Sequence, residues 1–357
     1  MAGINKTSEV CVVSKLKLKP LKQQVVVITG ASSGIGLVTA RMAAKRGAKL
    51  VLAARNTEAL ETLATEINHK GGDAIAVTTD VGKEADICSL AKAAIDRFGR
   101  FDTWVNNAGV SIFGRALDVT IPDMQRMFQT NYWGVVYGSR AAARQFIARG
   151  EPGALINIGS IFGNRATVVQ STYASSKFAI HGWTEALRME LEADKAPVSV
   201  TLIHPGRIDT PYNEHARSYM DRQPAHRDMI YPPDAVAEAI LFAAEHPKRD
   251  FYVGFQAKFG ATVGRLAPRL TDKLMEMYMF EGQLAHRPSR SRDDNALYQP
   301  GYGLQERGTQ EGFVRGRSLY VRASMYPAAT TLALSGAALS LAALMRARAS
   351  RRRQRLL

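Results

Sequence analysis

The chain has 357 residues, 46% of them apolar, enough for one large α/β domain with additions or for two small ones. Its two cysteines, Cys11 and Cys88, fit neither a disulfide framework nor a metal spacing, which points to a reducing compartment. The formal charge of +15 sits mostly at the ends: residues 1–22 hold five Lys and one Glu, residues 346–357 hold six Arg and no acid, and +5 is left for the rest. With no central Lys/Arg stripe interleaved with aromatic platforms, the pattern argues against a nucleic-acid binder.

In chain order, residues 1–22 form a basic lead, and "VCVV" at 10–13 is too short for a signal-peptide core. From 23 to 254 short β-branched runs alternate with helical patterns. "VVVITG" (25–30), "AKLVLAAR" (48–55), "AIAVTTDV" (74–81), "FDTWVNN" (101–107), "ALINIGS" (154–160), "VSVTLIHPG" (198–206) and "FYVG" (251–254) read as strands. Helices are expected after Gly34, from an N-cap at Thr57 to about Lys70, and near 83–98, 121–149, 173–194 and 233–245. Apolar strands alternating with helices predict a doubly wound, Rossmann-type parallel sheet of about seven strands, covered on both faces. Beyond 254, residues 270–283 have an amphipathic helical pattern, and 286–322 are Arg-, Gly- and polar-rich, like an extended arm or linker. Residues 323–345 carry no charge, and an Arg-rich tail closes the chain.

"TGASSGIG" (29–36) follows the first strand and opens the first helix. Such a loop turns tightly, brings backbone close to a pyrophosphate and aims free N–H groups and a helix dipole at it. It makes Gly30, Ser32, Ser33, Gly34, Ile35 and Gly36 candidate dinucleotide-binding residues. The second strand ends in "LAARN", where an acid would hold the ribose 2′-hydroxyl of NAD. Here Arg55 stands instead and no acid is near, which favours the 2′-phosphate of NADP over a plain surface arginine.

Four polar residues share a second pattern. Ser160 ends a strand at the sheet edge where ligands bind. Tyr173 and Lys177 lie on one helix face at i and i+4. Asn131 interrupts a long helical pattern. Singly they read as a cap, a half-buried aromatic, a solvated charge and a helix kink. Together, behind a dinucleotide loop, they read as a site.

With these motifs the chain resembles the single-domain branch of the short-chain dehydrogenase/reductase family over roughly residues 22–254. The resemblance is carried by "TGASSGIG", Asp80-Val81, "NNAG" (106–109), Asn131 in "NYWG", Ser160 in "IGS", "YASSK" (173–177) and "HPGRIDT" (204–210). It implies that Tyr173 is the general acid/base and that Lys177 binds the nicotinamide ribose and lowers the tyrosine pKa. Ser160 would hold the substrate oxygen, and Asn131 would kink its helix and hold a relay water. It further implies that Asp80 and Val81 meet adenine, that Asn107, Ala108 and Gly109 line its ribose, and that Pro205, Gly206, Ile208 and Thr210 cover the nicotinamide. The implied activity is carbonyl–alcohol interconversion with NADP(H), NAD(H) being the alternative, in a cytoplasmic homodimer or homotetramer. Two phenol-directed cations, the ammonium and the oxidised nicotinamide, are a physical reason for such a pairing.

Residues 207–231 are expected to form a substrate lid. Tyr212, Tyr219, Met220, Met229 and Tyr231 suit an apolar carbonyl compound, and His215, Arg217, Arg222, His226 and Arg227 mostly face water. His181, Trp133 and Trp183 read as packing residues, and the seven histidines show no metal spacing. Residues 323–345 would span ~35 Å as a helix. They are only mildly apolar, with five Leu and eight Ala. A single span would export the Arg tail, against the positive-inside tendency. Lying on an anionic leaflet or packing on another subunit are the alternatives. Two other functions remain open: a non-enzymatic NADP-binding regulator, which usually loses the Tyr or Lys, and an epimerase or dehydratase, for which the loop spacing does not match.

Overall fold

The computed structural model describes residues 16–227, 229–254, 262–264, 266–310, 312–316, 318–326, 330–332 and 335. Its seven-stranded sheet comprises β1 (Val25–Thr29), β2 (Lys49–Ala54), β3 (Asp73–Thr78), β4 (Thr103–Asn106), β6 (Gly153–Ile158), β7 (Val198–Pro205) and β10 (Asp250–Val253). The order is β3-β2-β1-β4-β6-β7-β10, with every neighbouring pair parallel. After β3 the chain crosses to β4 on the far side of β1. This reversal of winding leaves a crevice at the carboxyl ends of β1 and β4, where open α/β sheets bind ligands.

All seven expected strands form, because helices cover both faces of the sheet and each run is mainly apolar or β-branched. In β1, Val26 and Ile28 point to one side while Val25 and Val27 point to the other, and all four are buried. On the first side pack α1 (Gly34–Lys45), α2 (Thr57–His69) and α7 (Pro233–Glu245), with Leu37, Leu60, Leu63 and Ile240 fully buried. On the second lie α3 (Glu84–Phe98), α5 (Gly134–Arg149) and α6 (Ser171–Ala193), around Leu90, Trp104 and Phe146. Asn56, not Thr57, caps α2 by accepting from Ala59 N at 3.0 Å.

The expected helix 121–149 is not continuous. It runs as α4 (Ile121–Phe128), a π-helical turn over Gln129–Trp133, and α5. Apolar periodicity does not register one extra residue in a turn, and such π turns favour functional sites.

Two small ladders tie the later chain to the domain. β5 (Ile112–Phe113) pairs with β8 (Arg217–Ser218), and β9 (Arg222–Pro224) pairs antiparallel with β11 (Leu284–Pro288). Helix α8 (Pro268–Gly282) precedes β11, and α9 (Leu319–Met325) packs against α7 and β10, with Val321 buried in the core. The polar stretch after β11 is hydrogen-bonded along the domain rather than standing off as a linker. Among the described residues no helix is long and apolar enough to cross a membrane. Most of residues 323–345, and all of the Arg-rich tail, lie outside the described residues.

Candidate active site

The phosphate loop closes on itself by contact. A Cβ at Gly36 would overlap the Gly30 carbonyl oxygen, so only glycine lets α1 approach the turn this closely. Thr29 and Asn107 staple β1 to β4. The Thr29 hydroxyl accepts from Asn107 N (3.0 Å) and Ala108 N (3.1 Å), and Asn107 Nδ2 donates to the carbonyls of Thr29 (2.9 Å) and Gly30 (3.2 Å). Behind the staple, Asn106 Nδ2 donates to Asn157 Oδ1 (2.9 Å) and Ser139 Oγ (3.2 Å). This buried network joins β4, β6 and α5 and left no signal in the sequence beyond polar residues in strands.

The resulting cleft has an empty volume, open mouth included, of about 1010 Å³. Gly30, Ser32, Ser33, Gly34, Ile35, Arg55, Asp80, Val81, Asn107, Ala108, Gly109 and Thr210 all line it. A second cleft of about 760 Å³ is lined by Ser160, Tyr173, Lys177, Pro205, Gly206 and Ile208. The two share Ile35, Asn107, Gly109, Thr210 and Tyr212, and so form one continuous groove. Of the candidate catalytic and cofactor-binding residues, Gly36 and Asn131 line neither part.

Asn131 is fully buried in the π turn. Its Oδ1 accepts from Val110 N (2.9 Å), and its Nδ2 donates to Val110 O (3.0 Å) and Ser176 Oγ (3.1 Å). It therefore ties the helix break to the strand end and to α6. Lys177 is buried, donates to Ile158 O at 2.9 Å, and lies 5.6 Å from the centre of the Tyr173 ring. Burial pushes the Lys177 ammonium down to about 8. Burial pushes the Tyr173 phenol up, and hydrogen bonds from Ser160 and Tyr212 act against that rise. Ser160, at the end of β6, accepts from Phe162 N at 3.1 Å, and its own N–H faces His181 Nε2 at 3.4 Å.

The segment expected as a lid, 207–231, contributes unevenly to the clefts. Tyr212 and His226 line the second cleft, their rings stacked at 6.3 Å, and Tyr212 packs edge-on to Tyr173 at 5.5 Å. The Tyr212 hydroxyl lies 2.7 Å from Ser111 Oγ and accepts from Gln170 Nε2 at 3.0 Å. Tyr231 is instead buried in the core, and Tyr219 donates to Asp123 Oδ2 at 2.7 Å, outside the cleft. His215 lines the first cleft, not the second.

Sequence reasoning missed what surrounds Arg55. Its Nη1 donates to the carbonyls of Leu297 (3.2 Å) and Tyr298 (3.1 Å), and its Nη2 to that of Ala296. Arg126 Nη2 bridges to Asp80 Oδ2 at 2.8 Å. Against the upward push of burial, Arg126 and the Gly82 N–H hold the Asp80 carboxyl below its ordinary value. Burial and the neighbouring Arg126 lower Arg55. Ala296, Pro300, Gly301 and Tyr302, from the C-terminal extension, also line the first cleft.

Comparison with known proteins agrees with this geometry. The family profile "short chain dehydrogenase" matches residues 24–221. The uncharacterized oxidoreductase YxnA of Bacillus subtilis is 65% identical over 324 residues, covering 90% of this chain and 91% of its own. An alignment of that length reaches well into the C-terminal extension. The uncharacterized oxidoreductase Lmo0432 of Listeria monocytogenes is 33% identical over 241 residues, 66% of this chain and 97% of its own. Among solved structures, a short chain dehydrogenase/reductase from Burkholderia phymatum in complex with NAD superposes with a TM-score of 0.63. It is 26% identical and covers 69% of this chain and 94% of that one. The 3-ketoacyl-(acyl-carrier-protein) reductase of Brucella melitensis, complexed with NADH, gives 0.56 at 29% identity, covering 65% and 97%. With the sheet, the glycine loop and the Ser–Tyr–Lys cluster in one groove, the chain belongs to the short-chain dehydrogenase/reductase family and is an oxidoreductase.

Proposed function

We propose that the protein interconverts a ketone or aldehyde with its alcohol, using NADP(H), with Tyr173 as the proton carrier. The observation that carries this reading is that Ser160, Tyr173 and buried Lys177, the last 5.6 Å from the centre of the Tyr173 ring, line one cleft that continues into the glycine-loop cleft. The dinucleotide fits the residues present: a loop whose close helix approach only glycine permits, and an Arg, not an acid, at the end of β2. When bound, the nicotinamide gives or takes the hydride.

This chain's residues supply the rest. Ser160 and Tyr173 present two hydroxyls to one substrate oxygen, which fixes its position and moves its proton. In reduction Tyr173 gives that oxygen a proton, and in oxidation it takes one. The ammonium of Lys177 favours the phenolate left behind. Ile161, Phe162 and Tyr212 give the substrate end of the groove an apolar lining. Arg55 is the residue placed for a 2′-phosphate, and NADP(H) is preferred on that ground.

The test is an NADPH-consumption screen over ketones, aldehydes, steroids and fatty-acyl compounds, with Tyr173→Phe alongside. The variant is expected to lose about 10²–10⁴-fold in turnover while binding NADPH almost normally. Near-normal rates in that variant would remove Tyr173 from the chemistry.

A further inference from the structure

Residues 295–310 cross the open side of the dinucleotide cleft and are anchored at both its ends. At the Arg55 end the Tyr298 hydroxyl donates to Asp123 Oδ1 (2.7 Å), Arg126 Nε donates to Leu297 O (3.2 Å), and Asn56 Nδ2 donates to Gly301 O (3.0 Å). At the phosphate loop, Leu304 N donates to Ser32 O and Gly34 N donates to Gln305 O, each at 2.8 Å. Glu306 pairs with Arg41 at 2.7 Å. Towards the substrate lid, Ala296 N donates to His215 O (2.8 Å) and Gly308 N to Asp209 Oδ1 (3.2 Å). Between these anchors Pro300, Gly301 and Tyr302 face the cleft. The segment thus roofs the space without filling it.

The contacts at Arg55 are all to backbone carbonyls. The extension also meets arginines with carboxylates, as Glu306 meets Arg41 and Glu281 meets Arg222 at 2.7 Å. Residues 296–303, "ALYQPGYG", contain no acid, and Arg55 receives only carbonyls. Three of its five N–H donors are fixed by neutral carbonyls, and the nearby Asp80 makes its ion pair with Arg126 rather than with Arg55. The donors left over are Nε–H and one Nη2–H. A guanidinium held in place and still cationic is pre-organised for a phosphate.

Building on the NADP(H) reading above, we propose that residues 296–305 are the outer wall of the dinucleotide site. They clamp Arg55 so that its two remaining donors take the 2′-phosphate, and the bound nucleotide leaves only when this strap lifts.

Gly303 offers a way to lift it. A Cβ there would sit on Ala59 Cβ, with Ser32 O (3.4 Å) and Asn56 Nδ2 (3.5 Å) next nearest. Gly303→Ala must therefore push the strap off α2, and Ala59→Gly in the same chain removes the collision. The measurement is dissociation of NADPH and of NADH from the full-length protein, followed by stopped-flow fluorescence. Gly303→Ala is expected to release NADPH at least tenfold faster than the wild type, to speed NADH less, and to recover in the double variant. Unchanged NADPH release in a folded Gly303→Ala protein, or no recovery in the double variant, overturns the wall. Should Gly303→Ala not fold, Glu306→Gln frees the strap from Arg41 and is expected to speed NADPH release several-fold. Unchanged release there overturns the wall equally. A wild-type chain that binds NADH more tightly than NADPH overturns instead the cofactor reading, and with it the role given to Arg55.

Discussion

The floor and the roof of the dinucleotide cleft use different parts of the chain. The floor, from Gly30 to Gly109, works through residue types at fixed spacing: glycines where α1 meets the turn, Thr29 and Asn107 across two strands, Asp80 after β3. The roof, residues 296–305, works mostly through backbone: three carbonyls on Arg55, one on Asn56, one on the Gly34 N–H. Side-chain chemistry leaves a motif, whereas backbone chemistry leaves almost none. An element can therefore be as closely fitted to a ligand site as the glycine loop and still read as a polar linker.

Arg55 is where floor and roof meet, so its removal is the strongest test of the contrast. Hydrogen bonds to charged groups are worth about 1.5–3 kcal/mol. Arg55→Ala is therefore expected to weaken NADPH binding about 10- to 100-fold, as read by fluorescence titration. NADH, lacking the 2′-phosphate, should weaken only several-fold, through the loosened strap. If both nucleotides lose equally, Arg55 is an anchor for the roof and nothing more. Arg55→Lys sharpens the point, because an ammonium keeps the charge but cannot hold three carbonyls in a fixed fork.

The same contrast explains what could be read from the amino acids alone. The seven strands were legible because a sheet covered on both faces demands mainly apolar, β-branched runs, broken only by polar residues such as Asn106 and Asn157 that pair within the core. The cluster of Ser160, Tyr173 and Lys177 in one cleft was legible because Tyr173 and Lys177 share a helix face and Ser160 follows a strand. The break at 129–133 was visible only through Asn131, since one extra residue in a turn hardly disturbs the apolar period of the helices on either side. The Arg126–Asp80 bridge joins residues 46 apart, and no local pattern encodes it. The lid was placed as a segment, but which of its aromatics enter the groove depends on tertiary packing. Tyr212 lines it while Tyr231 is buried in the core.

Tyr212 is a lid residue that reaches into the floor's chemistry. Its ring packs edge-on to the Tyr173 ring, and its hydroxyl works against the rise that burial imposes on that phenol. Removing that hydroxyl with Tyr212→Phe is expected to raise the Tyr173 pKa. The pH profile of alcohol oxidation should therefore move to higher pH, with a loss of no more than about tenfold at neutral pH. An unmoved profile would leave Tyr212 as packing for the substrate.

One residue that reads as packing also positions the floor. His181 on α6 lies against Gly159 and Gly163, and its Nε2 faces the Ser160 N–H. Burial, helped by the nearby His204 and Lys177, pushes its pKa down to about 3, well below the 6.5 expected of an unfolded chain. Between those two values the unfolded chain takes up a proton that the folded chain refuses. Stability is then intact above pH 6.5 and is lost as pH falls through the window, by up to about 1.4 kcal/mol per unit. His181→Gln, which keeps an acceptor near Ser160 but cannot titrate, should flatten this part of the acid limb when Tm is followed from pH 7 to 4. It should also leave the neutral-pH turnover within a few-fold, because the Ser160 N–H still finds a partner. A wild-type Tm that holds constant to pH 4 would mean that the ring is protonated in place, and that the loop carrying Ser160 tolerates a cation beside Lys177.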